Sequence, residues 1–295
     1  MTTIQENWSD NVGLLAQFLK EQDYSANTKR AYRNDIQSFV KWFESANAEP
    51  FRPDRVTVSD VVGFRTSMRS SGKSVATVNR CLNALRAFFG WLVETGSIPK
   101  SPVTKVKELG RQQLAPKGLE QSEIRRLLRE CELRRDNRTQ TIFALLAYTG
   151  IRVGELCKLR ISDLTIKERT GSILIRSGKG AKERTVPLPA EVRRILREHI
   201  PQIGGPDEAF VFQGQRGPLT PTGVRTIFRK YAQIVCFTIY PHLFRHTFAH
   251  AALTASNNDL VGVSQLLGHE SINTTAIYTQ RSHKELGGIL DKVSF

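Results

Sequence analysis

The stretch LLGHESINTTAIY, residues 266–278, contains the end of one helix and the start of the next. Gly268 has the position of a glycine that closes a helix, since glycine adopts the left-handed conformation without strain. Ser271 is a residue type that caps helix N-termini. Tyr278 then falls about two turns into the new helix. A lone tyrosine is structural far more often than catalytic, so its meaning depends on what accompanies it.

Two charged motifs precede this stretch. In HLFRH, His242 and Arg245 are three residues apart and share a helix face. In TGIRVGEL, Arg152 and Glu155 have the same spacing. Taken alone, the second motif is a surface ion pair that contributes little.

A hairpin is predicted between the two motifs. Residues 172–176 alternate in polarity as a strand does, and residues 184–188 form the return strand. Gly178, Lys179 and Gly180 supply the turn.

The rest of this half reads as helices. Apolar spacing predicts helices over 124–131 and over 142–148, the second stopping at Gly150. A further helix is expected over 152–159, and helices dominate from Glu191 onward. The C-terminal half is therefore mostly helical with a small antiparallel sheet.

The first hundred residues predict four helices. Their apolar stripes cover residues 12–19, 32–43, 58–64 and 78–92. Ser25 or Asn27 caps the second, while Gly72 and Gly96 close the third and fourth. The aromatic residues are expected in the core. Basic residues on the polar faces are candidates for phosphate contacts: Lys29, Arg30, Arg33, Arg80 and Arg86.

A domain boundary is expected after the fourth helix. Residues 98–102 contain two prolines, and residues 105–118 are basic without a clear period. We divide the chain into a helical domain, residues 1–108, and a mixed α+β domain, residues 109–295. A basic connector would let two such domains clamp a duplex.

Composition narrows the class of protein. The 295 residues are 40% hydrophobic and 24% charged, as in globular proteins, and no apolar run suits a membrane span. The polar N-terminus lacks the pattern of a signal peptide, so a cytoplasmic protein without membrane contact is expected. Four widely spaced cysteines predict free, mostly buried thiols.

The net charge of +15 favours a nucleic-acid partner. Residues 1–110 carry a net +4 and residues 111–295 a net +11. The same charge would also suit a solvated basic surface kept for solubility.

Together, and in this order, the motifs resemble those of the tyrosine recombinases, the phage integrase family. In size and layout the chain is similar to Xer-type recombinases and to transposon-borne tyrosine resolvases. The resemblance implies a helical core-binding domain followed by an α+β catalytic domain. It implies catalytic roles for residues at the matching positions, which are Arg152, Glu155, Lys179, His242, Arg245, His269 and Tyr278.

The residue types suit these roles independently. Two guanidinium groups can hold the non-bridging oxygens of a phosphodiester. Tyr278 needs a proton acceptor, for which His242 is the candidate, and Lys179 on its turn can protonate the leaving 5′-oxygen. His269 would donate to the phosphoryl group in the transition state. Glu155 would orient its neighbours.

No cofactor is expected. A covalent 3′-phosphotyrosyl link keeps the energy of the broken bond, so religation needs no ATP, and the sequence has no phosphate-binding loop motif. It also has no carboxylate cluster of the two-metal type. His242, His246 and His250 recur every four residues and form a rival metal-binding pattern, but no further ligand motif supports it.

The resemblance implies a duplex DNA core site with inverted repeats and a homotetramer in the synaptic complex. The segment 286–295 would dock in trans onto a neighbouring protomer, and a second recombinase or an accessory protein can take part. Dimer resolution, cointegrate resolution and integration or excision all remain open as roles. The alternatives are a type IB topoisomerase-like enzyme, which would relax DNA without a defined site, and a binding module with an inactive site.

Overall fold

The computed structural model describes residues 11–110, 118–176, 183–204, 206–269 and 271–279. The chain divides into two compact units, Met1–Gln112 and Gln113–Phe295. Both units are mostly helical, and the second also contains small antiparallel sheets, so the predicted fold class is confirmed. Among the described residues, no helix has the length and apolar character that a membrane span requires.

The N-terminal unit, Met1–Gln112, follows the predicted helix order. Its helices are α1 (Asn11–Glu21), α2 (Ala26–Asn47), α3 (Val58–Ser70) and α4 (Val75–Glu94). The side chain of Ser25 accepts the backbone N–H of Thr28 at 3.1 Å, so Ser25 is the cap of α2. Gly72 and Gly96 follow α3 and α4 with φ angles of +79° and +69°.

Aromatic side chains fill the core of this unit, as predicted. Phe39 of α2 is fully buried and packs edge-on against Phe64 of α3 and Phe89 of α4. Because the Phe39 ring contacts both α3 and α4, the apolar face predicted for α2 is the face that packs against these two helices.

The C-terminal unit, Gln113–Phe295, carries the remaining elements. Its helices are α5 (Gln121–Leu133), α6 (Asn137–Thr149), α7 (Val153–Leu156), α8 (Ala190–Ile203), α9 (Pro221–Val235), α10 (Pro241–Ala255), α11 (Leu260–Leu267) and α12 (Ile272–Ala276). Helix α7 is shorter than predicted, because Arg160 forms an antiparallel bridge with Phe210 and the chain leaves the helix before it.

Along the chain, a three-stranded antiparallel sheet follows α7 and precedes α8. The strands are β1 (Leu164–Ile166), β2 (Gly171–Ile175) and β3 (Arg184–Pro187), in the order β1-β2-β3. Strands β2 and β3 confirm the predicted hairpin, and Ile175 pairs with Arg184 at its turn end. Three short strands were not predicted, because strands this short show no alternation: β1 and the two-residue strands β4 (Gln213–Gly214) and β5 (Gly217–Pro218).

Helix α6 forms the centre of the C-terminal unit. Phe143 on α6 packs against Phe228 and Tyr231 of α9 and against Phe244 of α10. These contacts fix the end of α6, at Gly150, relative to the first turns of α10. The four cysteines are free, and all but Cys236 are buried, as predicted.

Candidate active site

The site begins where α6 ends. Gly150 takes a left-handed conformation with φ +63°, which ends the helix as predicted. A methyl group at this position would come within 2.3 Å of the Phe248 ring of α10 and within 2.9 Å of Leu267 of α11. The glycine therefore lets three helices meet closely.

Arg245 lies at this meeting point and is 3% exposed. Its Nη1 donates to the carbonyl of Gly150 at 2.7 Å and its Nη2 to the carbonyl of Leu267 at 2.9 Å. Burial, followed by the neighbouring Arg152, lowers the pKa of Arg245 to about 10, so the side chain stays charged at neutral pH. Three of its five N–H groups remain for another acceptor.

Arg152 is the more open of the two predicted arginines, with 47% of its side chain exposed. It precedes α7 and donates Nη1 to Glu155 Oε1 at 2.9 Å. Its Nη2 donates to the carbonyl of Gly268 at 2.8 Å. The turn that contains Leu267 and Gly268 thus accepts hydrogen bonds from both arginines.

Glu155 joins Arg152 to a residue that the sequence analysis missed. Arg184, the first residue of β3, donates Nη1 to Oε1 of Glu155 at 3.0 Å and Nη2 to Oε2 at 2.8 Å. Burial alone would raise the pKa of Glu155, but the hydrogen bonds from Arg184 and Arg152 outweigh it and the pKa is lowered. The carboxylate is therefore ionised beside two guanidinium groups.

His269 follows the turn directly, and Gly268 closes α11 in the predicted left-handed conformation. The His269 Nδ1 lies 2.8 Å from the Thr275 Oγ1 of α12. Burial, then the positive charges of Arg245, Arg152 and Arg184, lowers its pKa to about 4. The ring is neutral at pH 7, with Nδ1 held by the hydroxyl.

Tyr278 lies in the 3₁₀ turn Ile277–Thr279 after α12, whose N-terminus Ser271 caps as predicted. It is 8% exposed, and its hydroxyl oxygen is 2.8 Å from the Nδ1 of His246. Burial raises the pKa of Tyr278, and Arg245 partly offsets the rise. With His246 protonated at Nε2, the hydroxyl donates to Nδ1.

The histidine next to the tyrosine hydroxyl is thus His246, which the sequence analysis did not assign to the site. His242, the predicted proton acceptor, contacts the His246 ring at a centroid distance of 4.3 Å. His250 packs edge-on against the Tyr278 ring at 5.4 Å. Across the part of the chain that the structure describes, no three potential ligand side chains are arranged to hold a metal ion.

Lys179 and its turn lie outside the described residues, as does the segment 286–295. Of the DNA-contact candidates in the N-terminal unit, Arg30 and Arg33 are exposed on α2 and Lys29 is partly exposed. Arg80 is bound to Asp35 through two hydrogen bonds, of 3.0 and 2.7 Å, yet 54% of its side chain is exposed.

Arg86 forms hydrogen bonds within the N-terminal unit. Its Nη2 donates to the carbonyl of Val106 at 2.7 Å, and its Nη1 donates to Glu108 at 2.9 Å and to Asn83 at 2.7 Å. These bonds hold the chain that leaves α4 against the N-terminal unit. A phosphate contact by Arg86 would have to share this guanidinium.

Four histidines with lowered pKa values predict that acid destabilises the C-terminal unit. Burial lowers the pKa of His199, His242, His246 and His269 below the ordinary 6.5, to about 4 for the last two. Between about pH 4 and pH 6.5 the unfolded chain therefore binds more protons than the folded chain. The contribution of these histidines to the free energy of unfolding is complete above about pH 6.5, and it is lost progressively as pH falls toward about 4. Urea unfolding followed by circular dichroism should show a lower midpoint at about pH 5 than at about pH 7.5.

The N-terminal unit supplies an internal control. All six histidines are in the C-terminal unit and all three tryptophans are in the N-terminal unit. Tryptophan fluorescence should therefore report a smaller shift of the urea midpoint between the same two pH values. An unchanged or higher circular-dichroism midpoint at the lower pH would contradict the lowered histidine pKa values.

Two protein-family models match most of the chain. Residues 117–285 match the phage integrase family, and residues 13–96 match the phage integrase N-terminal SAM-like domain. The tyrosine recombinase XerC of Thermodesulfovibrio yellowstonii is 35% identical over 284 residues, which cover 91% of this chain and 90% of the relative. The tyrosine recombinase XerD of Listeria innocua is 33% identical over 270 residues, covering 88% and 89%.

Solved structures share the fold. The XerH site-specific recombinase bound to its difH substrate has a TM-score of 0.72 at 23% identity, covering 94% of this chain and 83% of that chain. The Tn1549 transposon integrase in complex with a circular intermediate DNA has a TM-score of 0.75 at 20% identity, covering 96% and 98%. At these identities the likeness speaks for the fold alone.

Proposed function

The chain belongs to the phage integrase family of tyrosine recombinases, and we propose that it cuts and rejoins DNA through a covalent 3′-phosphotyrosyl bond to Tyr278. Its similarity to the tyrosine recombinases XerC and XerD shows that it is a site-specific recombinase enzyme. The observation that carries the proposal is the turn Leu267–Gly268, where Arg152 and Arg245 both donate hydrogen bonds one or two residues before His269. Two guanidinium groups and an imidazole thus converge at one place.

The proposed step balances without a cofactor. The Tyr278 oxygen bonds to phosphorus, the bond from phosphorus to the 5′-oxygen breaks, and the tyrosine proton passes to a histidine. Lys179 protonates the leaving 5′-oxygen. Arg152, Arg245 and His269 stabilise the charge that gathers on the non-bridging oxygens, which is usually the largest catalytic contribution.

Two histidines have separate roles toward the Tyr278 hydroxyl in this proposal. His246 holds the hydroxyl at 2.8 Å, but its pKa of about 4 makes it a weak base in the free protein. A DNA phosphate beside the rings would raise the pKa of His242 and His246, because an anion favours the protonated form. We assign orientation of the hydroxyl to His246 and proton transfer with bound DNA to His242.

The mechanism predicts strand exchange without metal ions or nucleotides. The arginines supply the positive charge, and the phosphotyrosyl bond preserves the energy needed for religation. Recombination of a plasmid that carries two sites should proceed at a normal rate in excess EDTA without ATP. An absolute requirement for Mg²⁺ or ATP would contradict the mechanism. Relaxation of plasmids lacking any site would instead indicate the topoisomerase alternative.

DNA binding is proposed to use both units. Arg30 and Arg33 on the exposed side of α2, with Lys29 and Arg80, would contact phosphates in the N-terminal unit. The larger charge of the C-terminal half would meet the same duplex. Of the solved structures with this fold, the XerH recombinase is bound to its difH substrate and the Tn1549 integrase to a circular intermediate DNA.

The proposal also includes how the protomers assemble on DNA. We propose four protomers on two inverted-repeat core sites, each docking its segment 286–295 onto the next protomer, because a head-to-tail exchange closes into a ring. A second recombinase or an accessory protein can join this assembly. The reaction would serve dimer resolution, cointegrate resolution or movement of a mobile element in the cytoplasm.

A further inference from the structure

We propose that Arg184 is a positioning residue for Arg152, holding both acceptors that fix the Arg152 side chain. The inference rests on the proposed catalytic role of Arg152. Arg184 lies in no sequence motif, and from the sequence it was predicted only as the first residue of the return strand β3. Its contacts assign the role.

The first acceptor is the carboxylate of Glu155, each oxygen of which serves both arginines. Oε1 accepts from Arg184 Nη1 at 3.0 Å and from Arg152 Nη1 at 2.9 Å. Oε2 accepts from Arg184 Nη2 at 2.8 Å and from the backbone N–H of Arg152 at 2.7 Å. A two-pronged bond of this kind fixes the plane of the carboxylate, and with it the direction in which Arg152 is held.

The second acceptor is the carbonyl of Gly268. Arg184 Nε donates to the carbonyl of Leu266 at 3.1 Å, two residues before it. A methyl group at Gly268 would lie 2.8 to 3.0 Å from Nη1, Cζ and Nε of Arg184, so the guanidinium group lies directly against the glycine. The turn that receives Arg152 Nη2 therefore rests on Arg184.

Arg184 also sets the charge that the site presents. Its side chain is 15% exposed and that of Glu155 is 16% exposed, so the pair is poorly screened by water. Arg152, Glu155 and Arg184 together carry one positive charge. Without Arg184 the carboxylate would be matched by Arg152 alone, and Arg152 would be drawn toward Glu155 at the expense of a DNA phosphate.

The test is a double-mutant cycle of Arg184→Lys with Arg152→Lys, read out as single-turnover covalent complex formation on a nicked site at saturating DNA. Lysine keeps the charge but cannot hold both carboxylate oxygens. We expect Arg184→Lys to bind the site normally and to form the complex about tenfold to a hundredfold more slowly. The double variant should be little slower than Arg152→Lys, because Arg184 acts through Arg152.

Arg160→Lys is the matched control. Arg160 also binds a carboxylate, that of Glu208 at 2.6 Å, but lies outside the network. Its variant should cleave normally. Normal cleavage by Arg184→Lys, or a loss that simply multiplies with that of Arg152→Lys, would overturn the proposal. Normal cleavage by Arg152→Lys alone would instead overturn the catalytic role proposed for Arg152, while the proposed function through Tyr278 would stand.

Gly268→Ala keeps the test decisive if Arg184→Lys does not fold. The added methyl group would lie 2.8 to 3.0 Å from the Arg184 guanidinium, which must then shift, while both ion-pair partners remain. Alanine also strains the backbone here, because φ is +64°. Gly268→Ala should slow complex formation, with no further loss when combined with Arg152→Lys. Normal cleavage by folded Gly268→Ala protein, or independent losses in the combination, would overturn the positioning role.

Discussion

Phenylalanine at Tyr278 should leave site binding intact and abolish covalent complex formation. The substitution removes one oxygen atom, while the buried ring keeps its place against His246 and His250. The lost hydrogen bond to His246 should cost only about 1 kcal/mol of stability. Loss of the nucleophile should lower the cleavage rate by at least about four orders of magnitude, as expected when a covalent catalyst is deleted.

Gel-shift titration and a nicked suicide substrate measure the two properties separately. Tyr231→Phe is the matched control, because its hydroxyl donates to Asp136 at 3.0 Å inside the core and away from the arginines. That variant should lose some stability and still cleave. Covalent complex formation by Tyr278→Phe protein would show that another residue attacks the phosphate.

Lysine in place of Arg152 or Arg245 should slow cleavage by two to three orders of magnitude, equivalent to roughly 3–4 kcal/mol for one transition-state donor. Lysine retains the charge but loses the planar pair of donors. The two variants should differ in stability. Arg152 is half exposed, whereas Arg245 is buried and supports the carbonyls that end α6 and α11. Only Arg245→Lys should melt at a clearly lower temperature.

Single-turnover cleavage at saturating DNA separates chemistry from binding for both arginine variants. Thermal melting of the free proteins supplies the stability comparison. Near-normal cleavage by Arg152→Lys would reduce Arg152 to a structural ion pair with Glu155. Near-normal cleavage by Arg245→Lys would confine Arg245 to its two backbone contacts.

The local features of the fold could be predicted from the sequence. Caps and closing glycines such as Ser25, Gly150 and Gly268 act within a few residues, so their neighbours in the sequence reveal them. The catalytic candidates were found because their motifs, in this order, resemble those of the tyrosine recombinases. Spacing on one helix face marked only the pairs Arg152 with Glu155 and His242 with Arg245. Strand β1 was missed since three residues cannot show an alternation.

Contacts between distant parts of the chain could not be predicted. Arg184 meets Glu155 across 29 residues and Leu266 across 82 residues, and nothing near Arg184 in the sequence announces either contact. His246 is one helical turn from His242, but the sequence placed it only in the rival metal-binding pattern and not in the site. Which of them reaches the Tyr278 hydroxyl depends on how the turn after α12 packs on α10.

The attacking residue can be identified directly by mapping the covalent adduct. Trypsin cleavage after Arg245 and Arg281 releases residues 246–281, in which Tyr278 is the only tyrosine. Protein trapped on a nicked site in excess EDTA would be digested with nuclease and trypsin and analysed by mass spectrometry. We expect a nucleotide phosphate attached to Tyr278 of this peptide. An adduct on any other residue, or strand cleavage without an adduct, would contradict it.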